Sequence, residues 1–322
     1  MNELAEIRFA DNRVVLEDNL VKSAILPRVA AELDRDIIIK SNSVIEGAVY
    51  ARNFLVEDGP ARVGGAVFAQ LELHVNSDAR GTVTFDHSVG SAGAIVSHAP
   101  GCRLEFLADV NARQVRLRNS YVAASIFADE VVLEDCVVIG GVFATRRLEM
   151  SDCLVGTFNA PSVRAAQKIY LLLPGGFTVE PLSCQPGTEF YSIALADLGA
   201  LMRGEAEAEN SGKIPINIEE DEQHSVLVDG DTQQTLRSYS VSGKVLAADI
   251  MDLDRLQHHF LFTAAALGPQ LLHSYDLGQD VNGEVVNLTP ERISSFLFDV
   301  LHGKIGVSTL SGNFTLSEFA NN

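Results

Sequence analysis

The sequence predicts a mainly β chain: a short-coil, single-stranded β-helix over residues 1–184, then a smaller, acidic α+β domain over residues 185–322. Three observations predict it. First, a phrase recurs. Gly47-Ala48-Val49-Tyr50-Ala51 returns eighteen positions later as Gly65-Ala66-Val67-Phe68-Ala69, and Gly81-Thr82-Val83 follows sixteen beyond that. Downstream come Ser125-Ile126-Phe127-Ala128, Gly141-Val142-Phe143-Ala144 and Thr157-Phe158-Asn159-Ala160, each sixteen apart. A period this short marks a stacked solenoid and leaves no room for a helix pair. Second, each phrase leads into alternating apolar positions, which put one face of a strand inward and its charges outward. Third, composition shifts near residue 185, beyond which acidic side chains far outnumber basic ones.

Taken in order, Val14-Val15-Leu16-Glu17-Asp18-Asn19 resembles Val131-Val132-Leu133-Glu134-Asp135-Cys136 and marks a first coil. Residues 27–34 suit a short helix with Pro27 in its first turn. From Ile37 to Thr178 coils of 16–18 residues follow one another, and the span from residue 14 to 178 holds about nine of them at about 4.8 Å per layer. The inward pairs are Phe54 and Val56, Leu71 and Leu73, Val115 and Leu117, Val131 and Leu133, and Leu148 and Met150. With no Trp and 7% aromatics, Ala, Val, Leu and Ile are expected to fill the interior. Each coil buries too little to fold alone, so stacking supplies the missing face. The reading requires Gly47, Gly65 and Gly81 to lie in register. Around residues 90–101 the period falters, and a loop or irregular coil is expected.

Leu171-Leu172-Leu173-Pro174-Gly175-Gly176 reads as a last strand and a stop, and residues 181–187 as a linker. Beyond it, residues 190–202 carry helical spacing and residues 205–222 read as an acidic loop. Residues 226–228 and 236–241 suit strands. A long helix is expected over residues 245–267, with Ile250, Leu253, Leu256, Phe260, Ala264 and Leu267 on one stripe. A second helix runs from Pro290 to His302, with Thr289 as N-cap, Ile293, Phe296, Leu297, Val300 and Leu301 on one face, and Gly303 as terminator. Residues 308–319 suggest a hairpin at Gly312-Asn313.

Composition excludes some functions. The net charge is −19, and so acidic a surface repels a phosphate backbone, so nucleic acid is not an expected partner. The four cysteines, Cys102, Cys136, Cys153 and Cys184, form no C-x-x-C pair. Met1-Asn2-Glu3-Leu4-Ala5-Glu6 lacks the basic and apolar regions of a signal peptide, and no apolar run is long enough to span a bilayer. A cytoplasmic protein with free thiols is expected.

No catalytic, cofactor-binding or metal site emerges. A six-residue step through Val49, Leu55, Ala61, Val67, Leu73, Ala79 and Phe85 suggests a hexapeptide-repeat acyltransferase, but the later sixteen-residue coils break it. His74, His87 and His98 are not one coil apart, so they read as surface or bend residues. Asp109, Asp129 and Asp135 fall at scattered bends rather than along one groove. Residues 276–284 miss the ligand positions of a calcium loop, and His258-His259 point in different directions on a helix.

At residues 43–75 and 110–173 the chain resembles the bactofilins, bacterial polymer-forming cytoskeletal proteins. The carriers are Ile45-Glu46-Gly47-Ala48-Val49-Tyr50-Ala51, Arg62-Val63-Gly64-Gly65-Ala66-Val67-Phe68-Ala69 and Val138-Ile139-Gly140-Gly141-Val142-Phe143-Ala144. The resemblance implies a right-handed β-helix that polymerises end to end without nucleotide and serves as a scaffold at the membrane or in cell shape. Two departures stand out: about 135 apparently folded residues follow the β-helix, and the N-terminus lacks an apolar or basic membrane-targeting patch. The expected function is a non-enzymatic scaffold that self-associates through its end coils, represented by Val14, Val15, Leu16, Ile169, Leu171 and Leu173. The C-terminal domain then recruits a partner protein or limits growth, so both a filament and a capped oligomer stay open. The alternative is a β-helix enzyme or binding protein for carbohydrate or acyl substrates.

Overall fold

The computed structural model describes residues 8–10, 12–27, 33–171, 177–178, 183–192 and 290–304, with short strands between 213 and 246. Its core is a parallel β-solenoid of about eight turns. The chain divides into two compact units, Met1–Cys136 and Val137–Asn322.

The first unit holds β1 (Arg8–Ala10), β2 (Arg13–Leu16), β3 (Leu20–Val21), β4 (Asp36–Ile39), β5 (Ser43–Ile45), β6 (Val49–Val56), β7 (Ala61–Val63), β8 (Val67–Val75), β9 (Gly81–Phe85), β10 (Val89–Ser97), β11 (Cys102–Phe106) and β12 (Val110–Val122), and the start of β13 (Ile126–Ala160). Their registers sort into three columns. On the first side Val49 pairs with Val67, Val67 with Val89, and Val89 with Val110. On the second, Val14, Ile37, Phe54, Leu73, Ile95 and Val115 follow one another. On the third, Ile45, Val63, Phe85, Phe106 and Val122 do so. All of these are buried, which is what alternation demands of the inward positions. β6, β8 and β10 each serve two sides, and β8 and β10 carry one extra residue at the bend, between Ala69 and Glu72 and between Ser91 and Ala94.

Several expectations change here. Gly65 does sit on Gly47: a side chain at Gly65 would run into the Gly47 and Ala48 backbone. Gly81 does not continue that column. It lies on the third side, its N–H bonded to the Gly101 carbonyl at 3.1 Å, and the true successor of Val67 is Val89. The middle coils are thus 21–22 residues long, not 16–18. Residues 90–97 lie in a parallel rung, β10, with the expected irregularity present as a bulge between Ser91 and Ala94, and the non-strand part is confined to residues 98–101. Leu71 faces out, 53% exposed, and the inward pair is Leu73 and Val75. The interior is also not purely aliphatic: Phe54, Phe85 and Phe106 are fully buried, with ring centroids 5.9 and 5.1 Å apart.

In the second unit the rest of β13 pairs in parallel with β14 (Ser162–Leu171), Leu148 beside Val163 and Cys153 beside Ile169. Three short parallel strands follow: β15 (Phe177–Thr178) on β13, then β16 (Ser183–Cys184) and β17 (Glu189–Ser192) on β14. Parallel pairing therefore runs to Ser192. The expected linker at 181–187 contains a rung, and Phe190 and Tyr191 are strand rather than helix.

β18 (Lys213–Ile214) pairs antiparallel with β17. β19 (Ile216–Asn217), β20 (Val226–Val228) and β21 (Thr235–Arg237) form an antiparallel sheet, and β22 (Tyr239–Val241) pairs with β23 (Lys244–Leu246). The strand expected at 226–228 is present, and the one expected at 236–241 is divided between β21 and β22, which belong to different sheets. β18 and β19 fall inside the expected acidic loop, and β23 takes the first residues of the expected long helix. α1 (Pro290–Leu301) forms as expected, burying Ile293, Leu297, Val300 and Leu301, and ends at Gly303 with φ +71°. The expectations for residues 28–32, Leu173, 193–202, 247–267, Thr289 and 308–319 lie outside the described residues.

Candidate functional site

A β-solenoid offers two kinds of surface: the strand edges of its terminal coils and the flat outer sides of its rungs. Edges are sticky because half of their N–H and C=O groups lack a strand to bond.

Val14, Val15 and Leu16 lie in β2, on the first rung of the second side. Val14 and Leu16 point inward and are buried, 3% and 0% exposed, while Val15 faces out and is half-buried. One edge of β2 carries β4 in parallel. The Asn12 and Leu16 carbonyls accept from the Asp36 and Lys40 N–H groups, both at 2.9 Å. Alternation then turns the backbone of Arg13 and Val15 the other way. That second edge is not open. β1 pairs with it antiparallel, Arg8 with Val15, Phe9 with Val14 and Ala10 with Arg13. Asn12, φ +63°, supplies the left-handed step between the two strands. On the third side of the same coil β3 pairs with β5 alone among the described residues.

Ile169 and Leu171 are buried, and they are not an end rung either. They stand between Cys153–Val155 on one edge and Phe190–Ser192 on the other. The last parallel rung of that column is β17, and its outer edge carries β18 antiparallel, Phe190 with Ile214 and Tyr191 with Lys213. Among the described residues β2 is the first parallel rung of its column, and β14 stands one rung before the last, β17. At β2 a short antiparallel strand covers the edge expected to be exposed; at β14 the parallel β17 covers it, and β17 in turn carries the antiparallel β18. Strands of three and two residues have no periodicity, so nothing in the sequence announced them.

The outer sides carry a feature that sequence reasoning quoted and left uninterpreted. Tyr50 and Phe68 are the outward middle residues of two adjacent rungs, paired in register and 41% and 37% exposed. Leu26 and Leu71 are 54% and 53% exposed in the same unit. Alternation within Val-Tyr-Ala and Val-Phe-Ala was the signal: two flanking inward residues leave the aromatic outside. Below Phe68 the column continues with Gly90, where a side chain would come within 3.5 Å of the Phe68 ring.

Charged groups mostly staple one coil to the next. Arg52 donates to Asp36 through Nε at 2.9 Å and through an Nη at 2.7 Å, and Asn53 donates to the same carboxylate at 2.8 Å. The Arg52 hydrogen bonds, against the opposing effect of burial, hold the Asp36 carboxyl below the usual carboxylate range. The Asp58 carboxylate accepts from the Arg80 N–H at 2.8 Å and from Ser41 Oγ at 3.0 Å, and the first of these leads in lowering its pKa. His74, His87 and His98 are all exposed; Asp109 lies just before β12, while Asp129 and Asp135 lie within β13, so the three share no groove. Among the described residues no group of three or more His, Cys, Asp or Glu gathers as metal ligands. None of the four cysteines is in a disulfide, and burial pushes the Cys102 thiol up to about 11. Among the described residues no helix is long and apolar enough to cross a membrane.

No protein-family model, curated protein or solved structure matches the chain.

Proposed function

We propose that the protein is a non-enzymatic scaffold of the bactofilin kind, built on a right-handed solenoid, that associates with itself through coil ends and stops at a limited size. The observation that carries this reading is the antiparallel strand on a terminal rung of each unit, β1 on β2 and β18 on β17. A terminal rung is a template for another copy, and a short antiparallel cover is how natural sheets keep such a template from growing without limit. The acidic part of the chain beyond Ser192 acts as the limiting element at β17 and as the region that recruits a partner protein.

Sedimentation velocity and negative-stain microscopy of the full chain, beside a chain ending at Ser192, test this. The full chain, with β2 and β17 both covered, is expected to stay small, and the shortened chain to associate further, because β17 has lost its cover. Monodisperse monomers from both would sink the reading.

A further inference from the structure

The edge closed by β1 differs from an ordinary sheet edge in one respect: it is shaped to receive a copy of itself. We propose that the outer edge of β2 is a two-fold docking surface for a second copy of this chain, held shut within the single chain by β1. The inference rests on the self-associating reading above.

The argument starts from backbone direction. β1 shows that this edge accepts an antiparallel partner, although β2 meets β4 in parallel. Two identical edges related by a two-fold axis necessarily pair antiparallel, so a second β2 satisfies the same requirement as β1. Only registers that set outward-facing groups against each other are allowed, and those groups belong to Arg13 and Val15.

Side chains then select among the registers. With Val15 on the axis, Val15 meets its own mate, Val14 meets Leu16, and Arg13 meets Glu17. Val14 and Leu16 both point inward, so the pairing joins apolar interior to apolar interior. Arg13 and Glu17 are both exposed, at odd positions with Val15 and so on the outer face. The pairing sets opposite charges together twice, once on each side of the axis. This matters in a chain of net charge −19, where most ways of joining two copies bring like charges together. Among the described residues the Glu17 carboxylate has one ion-pair partner, Lys40, at a loose 3.9 Å, and Lys40 lies closer to Glu57, at 3.4 Å. Among the described residues β1 covers the edge with three, and two of them, Arg8 and Ala10, stand opposite the outward-facing groups.

The test opens the edge and then challenges the register. In full-length protein carrying Arg8→Pro and Ala10→Pro, β1 loses both N–H donors it turns toward β2. Hydrogen exchange at the Arg13 and Val15 amides reports at low concentration whether the edge has opened. Sedimentation equilibrium is expected to show the weight-average mass rising twofold relative to the unmodified chain. Adding Arg13→Glu is expected to abolish that rise, and adding Glu17→Arg as well to restore it. Adding Val15→Pro instead removes the donor nearest the axis while leaving the parallel bonds to β4, and is also expected to abolish it.

An opened edge with no change in mass would overturn the proposal. So would amides that stay protected without β1's donors, or a mass increase indifferent to the charge swap. Because the β17 experiment acts on a different rung, failure here leaves that result, and the scaffold reading, to stand or fall separately.

Discussion

Two kinds of corner join the second side of the solenoid to the third, and the coils they close differ accordingly. At the tight corners the chain turns on a single left-handed residue: Asn119 at φ +48° and Asp135 at φ +52° in the first unit, Asp152 at φ +48° in the second. The next residue shuts the corner by donating to the carbonyl two positions back. Ser120 Oγ reaches Arg118 at 2.9 Å, Cys136 Sγ reaches Glu134 at 3.2 Å, and Cys153 Sγ reaches Ser151 at 3.3 Å. At the long corners, residues 76–82 and 98–103, the backbone bonds to the coil beside it instead. The Gly59 N–H donates to Arg80 at 2.8 Å, the Gly81 N–H donates to Gly101 at 3.1 Å, and Asp58 holds the Arg80 N–H. A longer perimeter encloses more volume, and an interior at crystal-like density must fill it. The stacked rings of Phe85 and Phe106 belong to these wide coils. The lesson is that corner length and core residue size are chosen together.

The strongest way to break this comparison is to empty a wide coil. Phe85→Ala should cost about 3–5 kcal/mol, measured by chemical denaturation, and Val122→Ala on the same column distinctly less. Equal losses would mean the rings are not what fills the extra space.

A smaller effect tests the tight corner. Asn119→Val puts a branched side chain in a left-handed conformation and should cost about 1–2 kcal/mol, whereas Asn119→Gly should be close to neutral. A tolerant valine would show that the turn does not depend on that backbone state.

The smallest effect separates the long corner by its charge. The folded carboxyl of Asp58 titrates below its unfolded value. Its contribution is therefore fully present above the ordinary carboxylate range and is lost as pH falls through the folded value. Melting temperature followed from neutral pH into acid should fall less steeply in Asp58→Asn than in the unmodified chain. Superimposable curves would remove charge from the account of this corner.

How much of this was legible follows from the same contrast. Where coils close on tight corners the spacing is constant, and inward pairs such as Val115 with Leu117 and Val131 with Leu133 could be read directly and are buried. The long corners insert residues without repeating, so Gly81 mimicked a repeat while belonging to another side, and Leu71 was assigned inward because the bulge was not counted. α1 was legible because apolar spacing, Pro290 and Gly303 agree. Of the residues expected at the end coils, Val14, Leu16, Ile169 and Leu171 are buried, and the edges of β2 and β14 expected to be open carry β1 and β17. Edge status depends on Arg8-Phe9-Ala10 and Lys213-Ile214, pieces too short for any periodic signal.

The Asn-Ser and Asp-Cys corners carry one further consequence. Each completes its turn with groups drawn from three consecutive residues, so a coil bounded by two of them is a self-contained tile of sequence. Duplicating the segment between Asn119 and Asp135 would lengthen the molecule by one strand spacing, about 4.8 Å, and leave both termini untouched. A lineage carrying such tiles can adjust its reach in single steps by copying, with no new turn to invent.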